Sequence, residues 1–259
     1  MLHSKNLFTR FVSTLTTLSS AMKPVAIFRH TRTEGPGYFA SFLDRHSIPW
    51  TLVAVDEGAT IPASPDAFSG LCFMGGPMSV NDPLPWIPQL LSLIRQAVDK
   101  DIPVIGHCLG GQLMSKALGK VVSRNPAKEI GWHEVRPTDT AEARAWLGET
   151  DGFDAFHWHG ETFALPDGAT RILGSDACTN QAFVLGDRHL GMQCHVEMTE
   201  EMIRTWNTQW ADEVSDPANP PASVQKSEEQ LAQMATNLPA MRAMSDRLYT
   251  RWIAGLRQN

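Results

Sequence analysis

From Lys23 onward the chain alternates short apolar runs with stretches whose apolar residues recur at helical spacing. "VAIF" (25–28), "WTLVAV" (50–55), "GLCFM" (70–74) and "IPVIG" (102–106) are runs of four to six residues. Between them, "GYFASFLDRHS" (37–47), "WIPQLLSLIRQAVDK" (86–100) and "GQLMSKALG" (111–119) read as helices, the second with apolar residues at i, i+3, i+4 and i+7. Strands that are apolar at nearly every position need cover on both faces, so this part predicts a parallel sheet between two layers of helix. After Val121 the pattern changes to "GWHEVRPT", "AFHWHGETF", "TRILGSD", "QAFVLG" and "LGMQC". These closely spaced short strands predict a small antiparallel excursion before the sheet resumes. "TEEMIRTWNTQW" (199–210) reads as a helix whose early acids complement its dipole. A Pro-rich break at 215–223 precedes a helical segment, 223–256, interrupted or kinked near Pro239, with a Met and Leu stripe expected in the core. The expected class is α/β: a three-layer open, mostly parallel sheet flanked by helices, with C-terminal helices added.

Length and charge narrow the reading. The 259 residues suffice for one large domain with a well-buried core, expected over 23–259. A formal net charge of −6 argues against nucleic acid as a partner, and no apolar stretch reaches the length of a membrane span. The four cysteines form no CxxC pair, which points to a reducing cytoplasm. Residues 1–22 carry Lys5 and Arg10 and no acid, but Thr and Ser break their apolar run. They are expected to be a non-functional or disordered extension rather than a secretory signal.

Candidate chemistry centres on Gly106-His107-Cys108-Leu109-Gly110, between a predicted strand and a predicted helix. A nucleophile flanked by glycines at a strand-to-helix turn is held clear of the backbone in strained angles, at the carboxyl end of the sheet. The helix N-terminus there favours thiolate over thiol, and the Leu109 N–H is placed to be half of an oxyanion hole. The other half is expected from the loop Gly75-Gly76-Pro77 after an earlier strand. A cysteine nucleophile needs a base, and the base an orienting group. Among nine histidines, His195 closes the predicted strand "LGMQCH" just before a helix, with Glu197 two positions on.

Taken together, "GGPMSV", "GHCLGGQ", "FHWHGETFALPDGA" and "QCHVE" resemble the class I, triad-type glutamine amidotransferases over roughly Lys23 to Trp210. Cys194 and Val196 stand where that family usually has Phe and Pro, and His107 where an aliphatic residue is common. The resemblance implies that Cys108 is the nucleophile, His195 the base and acid, Glu197 its orienter, and Gly76 and Leu109 the oxyanion donors. It further implies that Gln112 and His159 help hold the amino-acid end of the substrate. The expected activity is cysteine-dependent hydrolysis of a γ-glutamyl amide through a thioester, with a small-molecule substrate and no cofactor. No ATP-pyrophosphatase loop of the "SGGxDS" type occurs. An acceptor synthase would therefore act in trans, or the chain would be a stand-alone γ-glutamyl peptide or conjugate hydrolase. A non-catalytic regulatory role would predict an eroded triad, and none is seen.

His157 and His159 share one face of a predicted strand, as a metal pair would. No third ligand at a supporting spacing is visible, and zinc would compete for the thiolate, so no metal is expected. Trp132, Trp158 and Trp206 are expected in the core, and His107 in a structural role.

Overall fold

The computed structural model describes residues 22–214 and 222–257. The extension 1–22, Met22 apart, and most of the Pro-rich break lie outside the described residues. In chain order the elements are β1 (Val25–Arg29), α1 (Gly37–Arg45), β2 (Trp50–Ala54), β3 (Gly70–Phe73), α2 (Ile87–Asp99), β4 (Val104–His107) and α3 (Leu109–Ala117). Then follow β5 (Val122–Pro137), α4 (Ala141–Leu147), β6 (Phe153–Phe163), β7 (Ala169–Gly174), β8 (Ala182–Leu185) and β9 (His189–Met192). The helices α5 (Glu200–Gln209), α6 (Ala211–Val214) and α7 (Ser227–Ile253) complete the fold.

Nine strands form one sheet in the order β2-β1-β3-β4-β9-β8-β7-β5-β6. The pairs from β2 through to β4 with β9 are parallel, and those from β9 to β6 are antiparallel. Side chains alternate between the faces of a strand, and here both faces are core. Val25 and Ile27 of β1 join Phe39 and Phe42 of α1 and Leu248 and Trp252 of α7 on one side. Ala26 and Phe28 join Leu90, Leu93 and Ile94 of α2 and Leu113 of α3 on the other. This is the predicted three-layer α/β architecture.

One expectation needs correction, and of the alternatives at Pro239 the interruption is excluded. The antiparallel part is not small. The 16-residue β5 pairs with β6 along most of its length, and β5 to β8 make up one wing of the sheet. Run length alone could not reveal this, because a register shift between Arg124 and Glu129 breaks the alternation. In addition, α7 runs without interruption through Pro239. Pro239 and Ala235, whose carbonyl loses its helical donor, are both exposed to solvent. The Met and Leu stripe of α7 is buried as expected, with Met234, Leu238, Met241 and Leu248 in the core.

Candidate active site

The turn between β4 and α3 is as tight as its glycines predict. Cys108 has φ 48° and ψ −106°, outside the regions an L-residue ordinarily occupies. A conformation of this kind costs roughly 1–3 kcal/mol and persists only where its surroundings enforce it. Here they do: a Cβ on Gly106 would lie 2.4 Å from the Gly110 carbonyl carbon, and one on Gly110 would lie 2.0 Å from the Phe73 oxygen of β3. The turn thus fits only with hydrogens at both positions, and it presents Cys108 to a cleft of about 210 Å³. Glu34, Gly76, Gln112, Trp158 and His159 also border that cleft.

His195 arrives from the other wing of the sheet. Strand β9 ends at Met192, so His195 lies beyond the strand it was expected to close. Its backbone instead pairs with Phe156 of β6, donating to the Phe156 carbonyl at 2.8 Å and accepting from the Phe156 N–H at 3.3 Å. Thr199 then caps α5, its hydroxyl accepting from the Met202 N–H, and this fixes the downstream end of the segment. The His195 Nδ1–H donates to Glu197 Oε1 at 2.7 Å, and the edge of Trp206 packs against the ring at 4.9 Å between centroids.

Both groups are fully buried, and their charges decide their protonation. Burial alone would lower the His195 pKa, but the charges of Glu197 and Cys108 outweigh it and hold the imidazole well above its ordinary value. Burial likewise pushes Glu197 up, and His195 and His107 more than reverse this, bringing it to about 2. The site therefore carries an imidazolium and a carboxylate beside the sulfur.

His107, one residue before Cys108, points away from the cleft. Its Nε2 bonds the Tyr249 hydroxyl of α7 at 3.0 Å and lies 4.0 Å from Glu197 Oε2. It works on the carboxylate, consistent with a structural role. Trp132, Trp158 and Trp206 are all core residues, and Trp158 also borders the cleft.

The expected oxyanion donors lie together. A Cβ on Gly76 would meet the Leu109 side chain at 2.8 Å, so the loop packs directly over the start of α3. Among the described residues the Gly76 N–H has no acceptor, and the Leu109 N–H opens a helix, where no intrahelical acceptor exists. Gln112 reaches toward the sulfur indirectly: its amide donates to Gln193 Oε1 at 3.1 Å, and Gln193 Nε2 donates to Cys108 Sγ at 3.4 Å. His159 borders the cleft, but both its ring nitrogens are engaged by the protein, Nδ1 with the Glu161 carbonyl at 3.0 Å and Nε2 with Glu129 Oε2 at 2.9 Å.

Three residues at the site went unmarked in the sequence. Gln193 contacts the sulfur. His30, after β1, donates from Nδ1 to the Met74 carbonyl at 3.0 Å and so props the glycine loop; burial keeps it neutral, with its pKa lowered to about 4. Glu34 faces both the loop and the imidazole, since a Cβ on Gly75 would lie 1.9 Å from Glu34 Oε2 and 3.1 Å from His195 Cε1. Burial raises its pKa to about 8; the His195 charge opposes this and Glu197 adds to it. No local pattern distinguishes these residues from ordinary loop polars. The structure also brings Glu129 of β5 against His157 and His159, supplying the third group that spacing along the chain did not reveal.

The family model for "Glutamine amidotransferase class-I" matches residues 43–205. YfeJ of Salmonella typhimurium, a glutamine amidotransferase-like protein, is 33% identical over 182 residues, spanning 67% of this chain and 75% of its own. The glutamine-hydrolyzing GMP synthase of Vibrio vulnificus is 30% identical over 148 residues, but only 26% of its length is matched. Gamma-glutamyl peptidase 3 of Arabidopsis thaliana is 23% identical over 177 residues, 64% of this chain and 71% of its own. Among solved structures, a glutamine amidotransferase from Methylobacillus flagellatus superposes with a TM-score of 0.89 at 43% identity, covering 92% of this chain and 97% of that one. A matched segment that runs from α1 into α5, and so carries both the elbow and the His-x-Glu pair, places this chain in the class-I glutamine amidotransferase family.

Proposed function

We propose that the protein hydrolyses the side-chain amide of a γ-glutamyl compound through a thioester on Cys108. The observation that carries this reading is the 2.7 Å bond from His195 to Glu197, beside a cysteine held in a left-handed turn at the mouth of a cleft. The Cys108 thiolate attacks the γ-carbonyl carbon, and its electron pair becomes the new C–S bond. The Gly76 and Leu109 N–H groups receive the oxyanion, each such donor contributing about 10²–10³ in rate. His195 gives its proton to the departing amine as the C–N bond breaks. Now neutral, it takes a proton from water, whose oxygen attacks the thioester; glutamate leaves and the thiolate and imidazolium return. Glu197 keeps the ring oriented and its charge balanced throughout.

Two identities of the leaving amine fit this chemistry. Released ammonia would serve a synthase in trans, a reading supported by similarity to a glutamine-hydrolyzing GMP synthase subunit of Halobacterium salinarum, 32% identical over 164 residues. A larger amine would make the protein a γ-glutamyl peptide or conjugate hydrolase, supported by the similarity to gamma-glutamyl peptidase 3. Glutamate release from glutamine, glutathione and other γ-glutamyl amides separates them, measured with and without a candidate synthase. Cys108→Ala is expected to abolish turnover of every substrate. Near-wild-type turnover in that variant, with contamination excluded, would overturn the mechanism.

A further inference from the structure

Strands β5 and β6 build a second cluster from their register alone. Glu129 stands directly opposite His159, and His157 opposite Gly131, two positions along, so all three side chains emerge on one face of the hairpin. All three are buried, and one ligand atom from each lies within 4.8 Å of the others. Glu129 Oε2 is 2.9 Å from His159 Nε2 and 3.5 Å from His157 Nδ1. Two ligand atoms on a tetrahedral zinc, with bonds of about 2.0–2.1 Å, stand about 3.3 Å apart. The observed spacings straddle that value.

The hydrogen bonds around the cluster leave one feature unexplained unless a further ligand-binding species is present. His159 Nδ1 meets the Glu161 carbonyl and its Nε2 meets Glu129, so both nitrogens of that ring are partnered. Among the described residues neither nitrogen of His157 has a hydrogen-bond partner, although the ring is wholly buried. An unmet buried polar group costs about 1–3 kcal/mol. A divalent ion between the three side chains would take a lone pair from His157, one from His159 and one from Glu129. The outer bonds such a site needs already exist: His159 Nδ1–H to the Glu161 carbonyl, and Ser175 Oγ–H to Glu129 Oε1 at 2.8 Å. Gln181 Nε2 also donates to Glu129 Oε2, at 2.6 Å. A cleft of about 360 Å³ bordered by Glu129, His133 and Ser175 reaches the Glu129 side of the cluster.

We infer that Glu129, His157 and His159 form a binding site for one zinc-class divalent transition ion, which pins the β5–β6 hairpin that walls the catalytic cleft. The test is zinc titration of the metal-stripped full chain, followed by calorimetry and by metal content after dialysis. It is run on the wild type, Cys108→Ser, Glu129→Gln and His157→Ala. One zinc per chain is expected in the wild type and in Cys108→Ser, with more than tenfold weaker binding in Glu129→Gln and His157→Ala. Zinc is also expected to raise the unfolding temperature of the first two. Zinc X-ray absorption of the wild type does not depend on any variant folding and is expected to give a shell of nitrogen and oxygen alone at about 2.0–2.1 Å. Absence of stoichiometric zinc, a sulfur neighbour near 2.3 Å, or binding lost in Cys108→Ser but kept in Glu129→Gln would each overturn the inference.

Discussion

Two imidazole–carboxylate clusters meet strand β6, and an imidazole in each is shifted in the opposite direction. In the first, Glu197 holds His195 as an imidazolium, its pKa well above the ordinary value. In the second, Glu129 is likewise kept ionised, at about 2, since the two imidazoles beside it outweigh burial. Yet burial there drives His157 down to about 3, even against the pull of Glu129. The difference lies in the balance of charge. His195 is raised by Glu197 and by the Cys108 sulfur together, whereas Glu129 is shared between two imidazoles. At His157 the burial penalty on a charged ring outweighs that shared carboxylate. The same residue types thus give one imidazole raised well above its ordinary pKa and another pushed well below it.

The largest expected effect is on Glu197. In Glu197→Gln the imidazole loses its orienting anion, and kcat should fall by about 10²–10⁴. The His195 pKa should drop toward its ordinary value, carrying the alkaline limb of the pH–rate profile to lower pH. A loss under threefold, with histidine titration by NMR unchanged, would mean that the sulfur alone sets the charge of His195. Next in size is Gly106→Ala, which presses a methyl group into the backbone of Gly110. It should cost about 3 kcal/mol in urea unfolding and remove turnover, because neither contact surface is a side chain able to move aside. An unaffected variant would show that the elbow relaxes, contrary to the fit described above.

The smallest effect concerns Glu34, the second carboxyl group near His195. Its pKa rises from an ordinary 4.5 to about 8 on folding, so the native state binds the extra proton. Stability from this group is fully present below pH 4.5 and is lost as pH rises through 8. Glu34→Gln cannot titrate. It should match the wild type near pH 4 and exceed it by up to a few kcal/mol above pH 8, read from urea unfolding at both values. A pH-independent difference would show that Glu34 is ionised in the native state, adding a third anion to the charge balance at His195.

Much of the first cluster was legible in the chain because its parts are local. The glycines around Cys108 lie within two residues of it, His195 and Glu197 are two apart, and Gly75-Gly76-Pro77 follows directly on a strand. Gln193 and His30 were not legible. Each owes its role to a partner far along the chain, Gln193 to Cys108 and His30 to the Met74 carbonyl. Glu34 is similar, being an isolated acid in the loop after β1 until folding sets it against Gly75 and His195. The length of β5 escaped notice because its register shift interrupts the two-residue period that marks a strand.

By itself the sequence determined the parallel half of the sheet, the sharp turn at Cys108 and the pairing of His195 with Glu197. Steric limits on the backbone and the alternation of buried side chains act over a few residues, so a few residues suffice to express them. Only the tertiary structure decided which imidazoles carry charge and which acid meets His157 and His159. Register between strands some thirty residues apart, and the burial that makes charge costly, are properties of the assembled sheet and of no segment within it.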